Sequence, residues 1–471
     1  MLWDMNTKKE SKTNTKLPKD LQVDVLVIGG GITGLTAAYF LKDSSKKVIL
    51  VDKDNIGDGI TSRSTAKISY LQGIIYQQLE KSFSLEVARS YFDSQKEAIT
   101  KITEIIKQED ISCDLEAADS IIFTLKHSGV SKIRKEKDIL TEFGVDVSDV
   151  KSDEIIAGIR VKDTYVFHPV AYLLGLKKVI EDNISIYENT LVQNIKKSQY
   201  GYTVSTTKGV IDAKSVVVAC HYPFFLKPLF TPFKTYIKRE YVNAAKIGNP
   251  CSYSAISIDN ELHSIRYYQD YVLYGSNEHR LTNKIDYDKN YKQSRKDFRR
   301  YFHKEAEFTW MNQDIVSHDK LPFIGKVQDG LYVAMAYNGW GMTNGTIAGK
   351  VISDLIEVGT SPYRLLFYPY RVNISLFGNS ILGTLHYMKA YTQSLWKKSN
   401  PSYIKVHGVM YATYLDDKKT PHTLCLLCPH MKCNLVFNRS DKTWDCPCHG
   451  SRFDLDGTLL EGPSKESLAK K

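Results

Sequence analysis

Residues 24–43 read DVLVIGGGITGLTAAYFLKD. Val25–Ile28 is a short aliphatic run, the pattern of a parallel strand buried on both faces. It leads straight into Gly29-Gly30-Gly31-Ile32-Thr33-Gly34, and the residues that follow, LTAAYFLKD, make a good helix. Glycines at 29, 31 and 34 let the chain turn tightly. They bring a helix N-terminus, with its free N–H groups and positive dipole end, against a pyrophosphate. A second strand, Lys47–Val51, ends at Asp52, 18 residues past Gly34, where a carboxylate accepts from a ribose hydroxyl. Strand, glycine turn, helix, strand and acid together predict a Rossmann-like α/β domain holding a dinucleotide.

Two later stretches indicate which dinucleotide. Gly57–Lys67, GDGITSRSTAK, is rich in small and hydroxyl residues directly after the second strand. Far downstream, DKLPFIG (319–325) precedes a strand, LYVAMAY, then Asn338–Gly345 (NGWGMTNG) and a helix, TIAGKVISDLI. This second glycine-rich turn can close over the same cofactor from another side. At this point the sequence resembles the glycine/D-amino acid oxidase (DAO-type) family of FAD-dependent oxidoreductases, over residues 22–358. The resemblance implies FAD, with contacts from Gly29, Gly31, Gly34, Asp52, Ser62 and Thr65. The 339–345 loop would add Gly339, Gly341, Thr343 and Gly345. Where the family usually carries Glu, this chain has Asp52, whose shorter carboxylate still accepts from ribose. Phe167-His168-Pro169 and the helix after it resemble the segment where the family chain re-enters the FAD domain. Ala219-Cys220-His221 stands where many relatives have Ala-Thr-Gly, and packing is the reading taken for Cys220 and His221. An inserted antiparallel substrate sheet, mainly 224–310, is implied over the flavin. Arg239, Arg266 and the run Trp310–Asp314 are the candidates there for holding an anionic or polar substrate. Amine oxidation in this family proceeds mainly by hydride transfer, so no general base is assigned.

Five of the eight cysteines fall between Cys425 and Cys448. Cys428-Pro429-His430 is followed by fifteen residues and then Cys446-Pro447-Cys448-His449. Thiolates and imidazoles so spaced suit a metal, and a structural Cys2His2 zinc is one reading. Each loop here gives one Cys and one His, however, whereas a zinc finger gives two cysteines and then two histidines. The longer string CPHMKC…TWDCPCHGSRFDLDG…GP closely resembles the Rieske iron–sulfur domain. The resemblance implies a 2Fe–2S cluster with Cys428 and Cys446 on one iron and His430 and His449 on the other. It also implies a Cys433–Cys448 disulfide tying the two loops together. Lys432 replaces the usual glycine, Ser451 matches a serine that bonds a cluster sulfide, and Phe453 stands where respiratory relatives carry Tyr. Cys425 reads as a free core thiol, and Cys113, Cys220 and Cys251 as buried small hydrophobes.

With 471 residues there is room for two or three domains of ~100–200 residues each. The divisions expected are a polar tail (1–20), the oxidoreductase domain (21–375), a connector (376–400) and a small all-β Rieske domain (401–471). A hydrophobic share of 42% and a charged share of 25% exclude disordered and collagen-like classes. The net charge of +10 comes from 63 Lys and Arg against 53 Asp and Glu in short, scattered runs, a solvated surface with no nucleic-acid partner. No apolar run reaches the ~18–20 residues of a spanning helix, and the N-terminus lacks the apolar core of a signal peptide. The expected location is therefore the cytoplasm. Ile374–Trp396 is mildly amphipathic and reads as a domain-packing helix, with peripheral membrane contact as the alternative.

A flavin accepts two electrons at once and a Rieske cluster passes them singly. Joined in one chain, they imply a dehydrogenase of a small amine or amino acid that feeds a one-electron acceptor, protein or quinone. The alternative is an electron-transfer or redox-sensing protein whose flavin is reduced by a partner. A direct oxidase making hydrogen peroxide is a further reading. A Rieske oxygenase is set aside, because no helix offers a His pair with a nearby Asp for mononuclear iron.

Overall fold

The Leu21–Ile28 strand is apolar throughout its second half because it is central. It pairs in parallel with Val48–Val51 on one side and Gly209–Val218 on the other, and Leu26 and Val27 are fully buried. In the computed structural model this strand anchors an eight-stranded sheet. Residues 2–5, 16–223, 234–248, 250–281, 285–372, 388–389, 392, 402–406, 409–415 and 418–469 are described. Apart from Met388, Lys389 and Thr392, the amphipathic segment Ile374–Trp396 and the connector lie outside them.

Gly209–Val218 shares one edge between two neighbours. Its first half pairs with Tyr202–Thr206 and its second half with Leu331–Met335. The late strand thereby returns the chain to the starting domain and delivers the Gly341–Glu357 helix onto the Ile32–Leu41 helix. Contact there is close: a Cβ on Gly345 would sit 2.6 Å from the Ile32 side chain.

The second eight-stranded sheet begins Phe308–Ser317, Thr235–Lys246, Tyr271–Arg280, His263–Tyr268, Tyr253–Ser257. It continues through Asp119–Thr124, Ala157–Val161 and Ser148–Asp149. It is antiparallel except where Tyr253–Ser257 runs parallel to Asp119–Thr124. The sheet therefore draws on residues well before 224, and on strand residues beyond 310. Within it, Thr235–Lys246 and Phe308–Ser317 pair so that Lys238 faces Asp314, Arg239 faces Gln313 and Glu240 faces Asn312.

The C-terminal domain is all β, with a three-stranded sheet (Ser402–Val406, Val409–Leu415, Pro421–Cys425) and a four-stranded one. The four strands, Val436–Asn438, Thr443–Asp445, Arg452–Phe453 and Leu459–Glu461, close around buried Trp444 and Phe453. At the other end of the chain the polar tail holds an apolar anchor. Trp3 is fully buried, donates from Nε1 to the Ser64 carbonyl at 3.0 Å and lies under the Arg266 guanidinium at 4.9 Å.

Candidate functional site

The glycine turn is closed by contact with itself. A Cβ on Gly34 would lie 1.8 Å from the Gly29 carbonyl oxygen, and Gly29 itself has φ +108°. Only glycine fits both positions, so the Ile32–Leu41 helix starts hard against the turn, with its first N–H groups aimed at the space outside the strand ends. Asp52 Oδ2 accepts from Gly30 N at 2.5 Å, and Oδ1 accepts from Asp54 N at 2.8 Å. Burial raises the Asp52 carboxyl to about 6. A cavity opens here, lined by Gly29, Gly31 and Asp52 on one side and Gly339 and Gly341 on the other. Backbone N–H donors, a half-buried acceptor carboxylate and two glycine loops are what a dinucleotide needs, and the residues fit FAD.

Other expected contacts fall elsewhere. Gly34 and Gly345 serve the turn and the helix packing. Ser62 is fully buried and donates to the Gly59 carbonyl at 2.7 Å. Thr343 accepts from Gln72 Nε2, and Thr65 lines a second, adjoining cavity. Cys220 and His221 do line the flavin cavity. Burial lowers His221 to about 4 and raises Cys220 to about 12, so both are neutral at pH 7.

The second cavity shares Ser64, Asn312, Asp314, Gly339, Gly341 and Met342 with the first. It is where a substrate would meet the flavin. Strand alternation sets its wall: Glu240 accepts from Asn312 Nδ2 at 3.1 Å, while the Arg239 side chain, one residue earlier and opposite Gln313, reaches Asp445 instead. Arg239 and Arg266, expected against a substrate, both have other partners. Arg239 donates to Asp445 Oδ2 and Tyr287 Oη, each at 2.6 Å, and to Gln313 Oε1 at 2.9 Å. Arg266 gives its guanidinium to the carbonyls of Thr65 and Phe167.

The C-terminal domain pairs Cys428 with Cys446 and His430 with His449. Cys428 and Cys446 are buried and within hydrogen-bond contact of each other. The His430 and His449 rings lie 4.9 Å apart at 88°. Neither ring nitrogen of His430 has a hydrogen-bond partner among the described residues, although both are shut off from solvent. Burial pushes His430 down to about 4 and His449 to about 3, so both are neutral at pH 7 with a lone pair to give. Two thiols and two neutral imidazoles, one of each from either loop, are the donor set of a 2Fe–2S cluster with mixed ligands. Cys433 and Cys448 form a disulfide that joins the two loops. Lys432, in the place of the usual glycine, takes φ +57°, a left-handed conformation that strains a side-chain-bearing residue. Of the other cysteines, Cys113 is buried, whereas Cys251 is exposed rather than a core hydrophobe.

The FAD dependent oxidoreductase (DAO) family profile matches residues 24–355. The chain belongs to the DAO family. The Rieske [2Fe-2S] domain profile matches residues 386–470, so a DAO domain binding FAD is joined to a Rieske domain binding a 2Fe–2S cluster. The chain is similar along nearly its whole length to the putative Rieske 2Fe-2S iron-sulfur protein YhfW of Bacillus subtilis. The two are 29% identical, over 97% of this chain and 96% of that protein. It is 22% identical to gamma-glutamylputrescine oxidoreductase of Escherichia coli over 72% of this chain and 85% of that protein. In fold it matches glycine oxidase from Geobacillus kaustophilus with a TM-score of 0.64 and 16% identity, over 75% of this chain and 99% of that one.

The Rieske domain sits on the DAO domain at the flavin cavity itself. Leu459–Ser464 forms part of that cavity's lining, and Lys53 Nζ donates to the Leu460 carbonyl at 2.7 Å. Gln313 Nε2 donates to the Gly450 carbonyl at 3.1 Å, next to His449. Around these contacts runs a charge network that no motif announced. Arg239 and Arg452 both reach Asp445, Arg452 also pairs with Asp441 and Glu461, and Arg63 of the DAO domain pairs with Glu461. Three arginines and three carboxylates thus neutralise one another. The sequence signal available was only the clustering of Arg and Asp in DCPCHGSRFDLDG.

Burial opposes the charge on Glu461, but Arg63 and Arg452 overcome it and hold the carboxyl at about 2, against an ordinary 4.5. A depressed acid stabilises the fold above its unfolded pKa, and that contribution is lost as pH falls toward the folded value. Roughly 3 kcal/mol is involved. The Rieske domain is therefore expected to leave its dock between about pH 4.5 and 2. Small-angle scattering should show the radius of gyration rising in that window, and no change down to pH 2 would refute the assignment. Among the described residues, no helix is long and apolar enough to cross a membrane.

Proposed function

We propose that this chain oxidises the C–N bond of a small amine or amino acid at the flavin. The electrons then pass within the same chain to the Rieske cluster, and on to a one-electron acceptor outside it. FAD supplies hydride acceptance and the 2Fe–2S cluster supplies single-electron transfer. The observation that carries the reading is that one strand, Phe308–Ser317, serves both sites: Asn312 and Asp314 line the substrate cavity while Gln313 holds the cluster loop through Gly450.

The residues' roles follow from their places. Gly29, Gly31 and Asp52 hold the nucleotide, and Gly339 and Gly341 close over it. Cys428, Cys446, His430 and His449 hold the two irons. Met431 and Lys432 of the first cluster loop are exposed, whereas Cys446–Gly450 of the second is buried against the DAO domain. The inner loop is thus the entry for electrons and the outer loop the face for an acceptor. The similarity to gamma-glutamylputrescine oxidoreductase supports a nitrogen-bearing substrate.

Anaerobic mixing of the purified protein with amines and amino acids tests this. Substrate should bleach the flavin, and a reduced-cluster EPR signal should then grow at the flavin's expense. Bleaching without that signal would overturn the internal transfer. Bleaching by dithionite but by no amine or amino acid would favour a protein whose flavin is reduced by a partner.

A further inference from the structure

We infer that the Rieske domain completes the FAD site. Its Leu459–Ser464 segment forms the outer wall, and His221 and Glu461, one from each domain, contact hydroxyl groups of the dinucleotide there. FAD and the docked Rieske domain therefore stabilise each other. The inference concerns the cofactor and stands whatever compound the flavin oxidises.

The wall is tied to the nucleotide site at two points. Lys53, which follows the nucleotide acid Asp52, donates from Nζ to the Leu460 carbonyl at 2.7 Å. Arg63 pairs with Glu461, and its own carbonyl accepts from Trp310 Nε1 at 2.9 Å. Both cations line the flavin cavity themselves, so the strand they hold is part of that cavity and not merely a neighbour of it.

Two polar atoms at this wall have nothing to bond. Glu461 is only 8% exposed; Oε1 takes Arg63 and Arg452, while Oε2 is buried with no hydrogen-bond partner among the described residues. Nε2 of His221, in the loop after the Gly209–Val218 strand, is likewise buried and unpartnered. The two residues line the same cavity and lie within electrostatic reach of each other, yet neither of these atoms bonds the other. Buried polar atoms left in this state are costly, and two of them at one cavity wall point to a ligand that meets both. A phosphate does not, because it would set an anion against the Glu461 carboxylate. A hydroxyl does: it donates to a carboxylate oxygen and can donate to or accept from an imidazole. FAD carries such hydroxyls on its ribityl and ribose units.

The backbone at His221 fits a ligand-facing role. Its φ is +64°, a left-handed conformation that glycine adopts freely and a β-carbon makes costly. Strain of this kind persists where the surrounding site holds the residue in place, and what it secures here is an imidazole at the cavity wall. A wall that only covered a finished site would slow FAD entry and exit alike and leave its Kd unchanged. A wall that contacts the dinucleotide makes binding and docking reciprocal, typically by ~5–150-fold.

Three measurements on the full chain test this. In flavin-free protein that retains its cluster, added FAD should slow amide exchange in Arg452–Phe453 and Leu459–Glu461 by about tenfold or more. Exchange indifferent to FAD would overturn the inference. Reciprocally, Arg239→Met loosens the dock from outside this cavity and should raise the FAD Kd, read from flavin fluorescence, about tenfold or more. An unchanged Kd there would overturn it too. His221→Gly separates contact from folding. Glycine relieves the left-handed backbone, so the Tm of the flavin-free protein should hold or rise while the FAD Kd rises about fivefold or more. An unchanged Kd, or a raised Kd matched by a lower flavin-free Tm, would make His221 a packing residue and overturn the inference. None of these readouts uses an amine substrate, so their failure would leave C–N oxidation standing.

Discussion

Cys446→Ser is expected to give a protein that still takes two electrons from substrate and can no longer hand them on. Cys446 is buried in the loop docked against the DAO domain, 1% exposed, and serine differs from it by one atom, so packing changes little. Its chemistry changes much more, because a hydroxyl is a hard, weakly acidic donor in a site that needs a thiolate. The cluster should not assemble. Metal analysis should find FAD without stoichiometric iron, and dithionite should raise no reduced-cluster EPR signal. Flavin bleaching by substrate should keep its rate within about twofold, while turnover with a one-electron acceptor falls roughly 100-fold or more. Retained turnover with that acceptor would mean that electrons leave from the flavin directly, and the route through the Rieske domain would be wrong.

Arg239→Met is the complementary experiment, since it spares both cofactor sites and loosens the dock. Arg239 is fully buried, and its removal leaves two arginines against three carboxylates in the network. An uncompensated buried charge costs about 3–5 kcal/mol. The variant should therefore melt at a lower temperature, reduce its flavin at the parental rate and pass electrons to the cluster about tenfold more slowly or worse. Replacing Asp445 as well, in Arg239→Met/Asp445→Leu, restores neutrality and should recover much of the stability, because exchanging both partners of a buried pair for apolar groups is far milder than breaking it. Slower flavin reduction in Arg239→Met alone, with raised substrate Kd, would return Arg239 to the substrate site and contradict the strand-face assignment.

The parts of the molecule legible in the sequence are those whose chemistry is local. Gly29–Gly34 announces a nucleotide turn because the clash at Gly34 is with Gly29, five residues away. The two cluster loops announce themselves because each carries a Cys and a His two or three residues apart. The partners of Arg239 were hidden for the opposite reason. Nothing within its own strand says which face it takes, and only the pairing of Arg239 with Gln313 and the docked Gly450 loop settles it. Trp3 hides in a polar tail because its partners, Ser64 and Arg266, are far along the chain. Asp314 was within reach: the run Trp310–Asp314 stood out as a candidate, but its alternation sends Asn312 and Asp314 one way and Gln313 the other.

That alternation couples two properties which a fusion of ready-made domains would be expected to keep apart. Lys238, Glu240, Asn312 and Asp314 line the substrate cavity, and Arg239 and Gln313, interleaved with them and themselves at the cavity walls, send their side chains to Asp445 and Gly450 in the dock. A slip of one residue in either strand would exchange every one of these assignments at once. Lineages of this protein can therefore retune substrate choice or domain attachment by single replacements, but a one-residue insertion or deletion in these strands would scramble both together. The catalytic front and the electron-passing tail are bound to drift as one heritable unit.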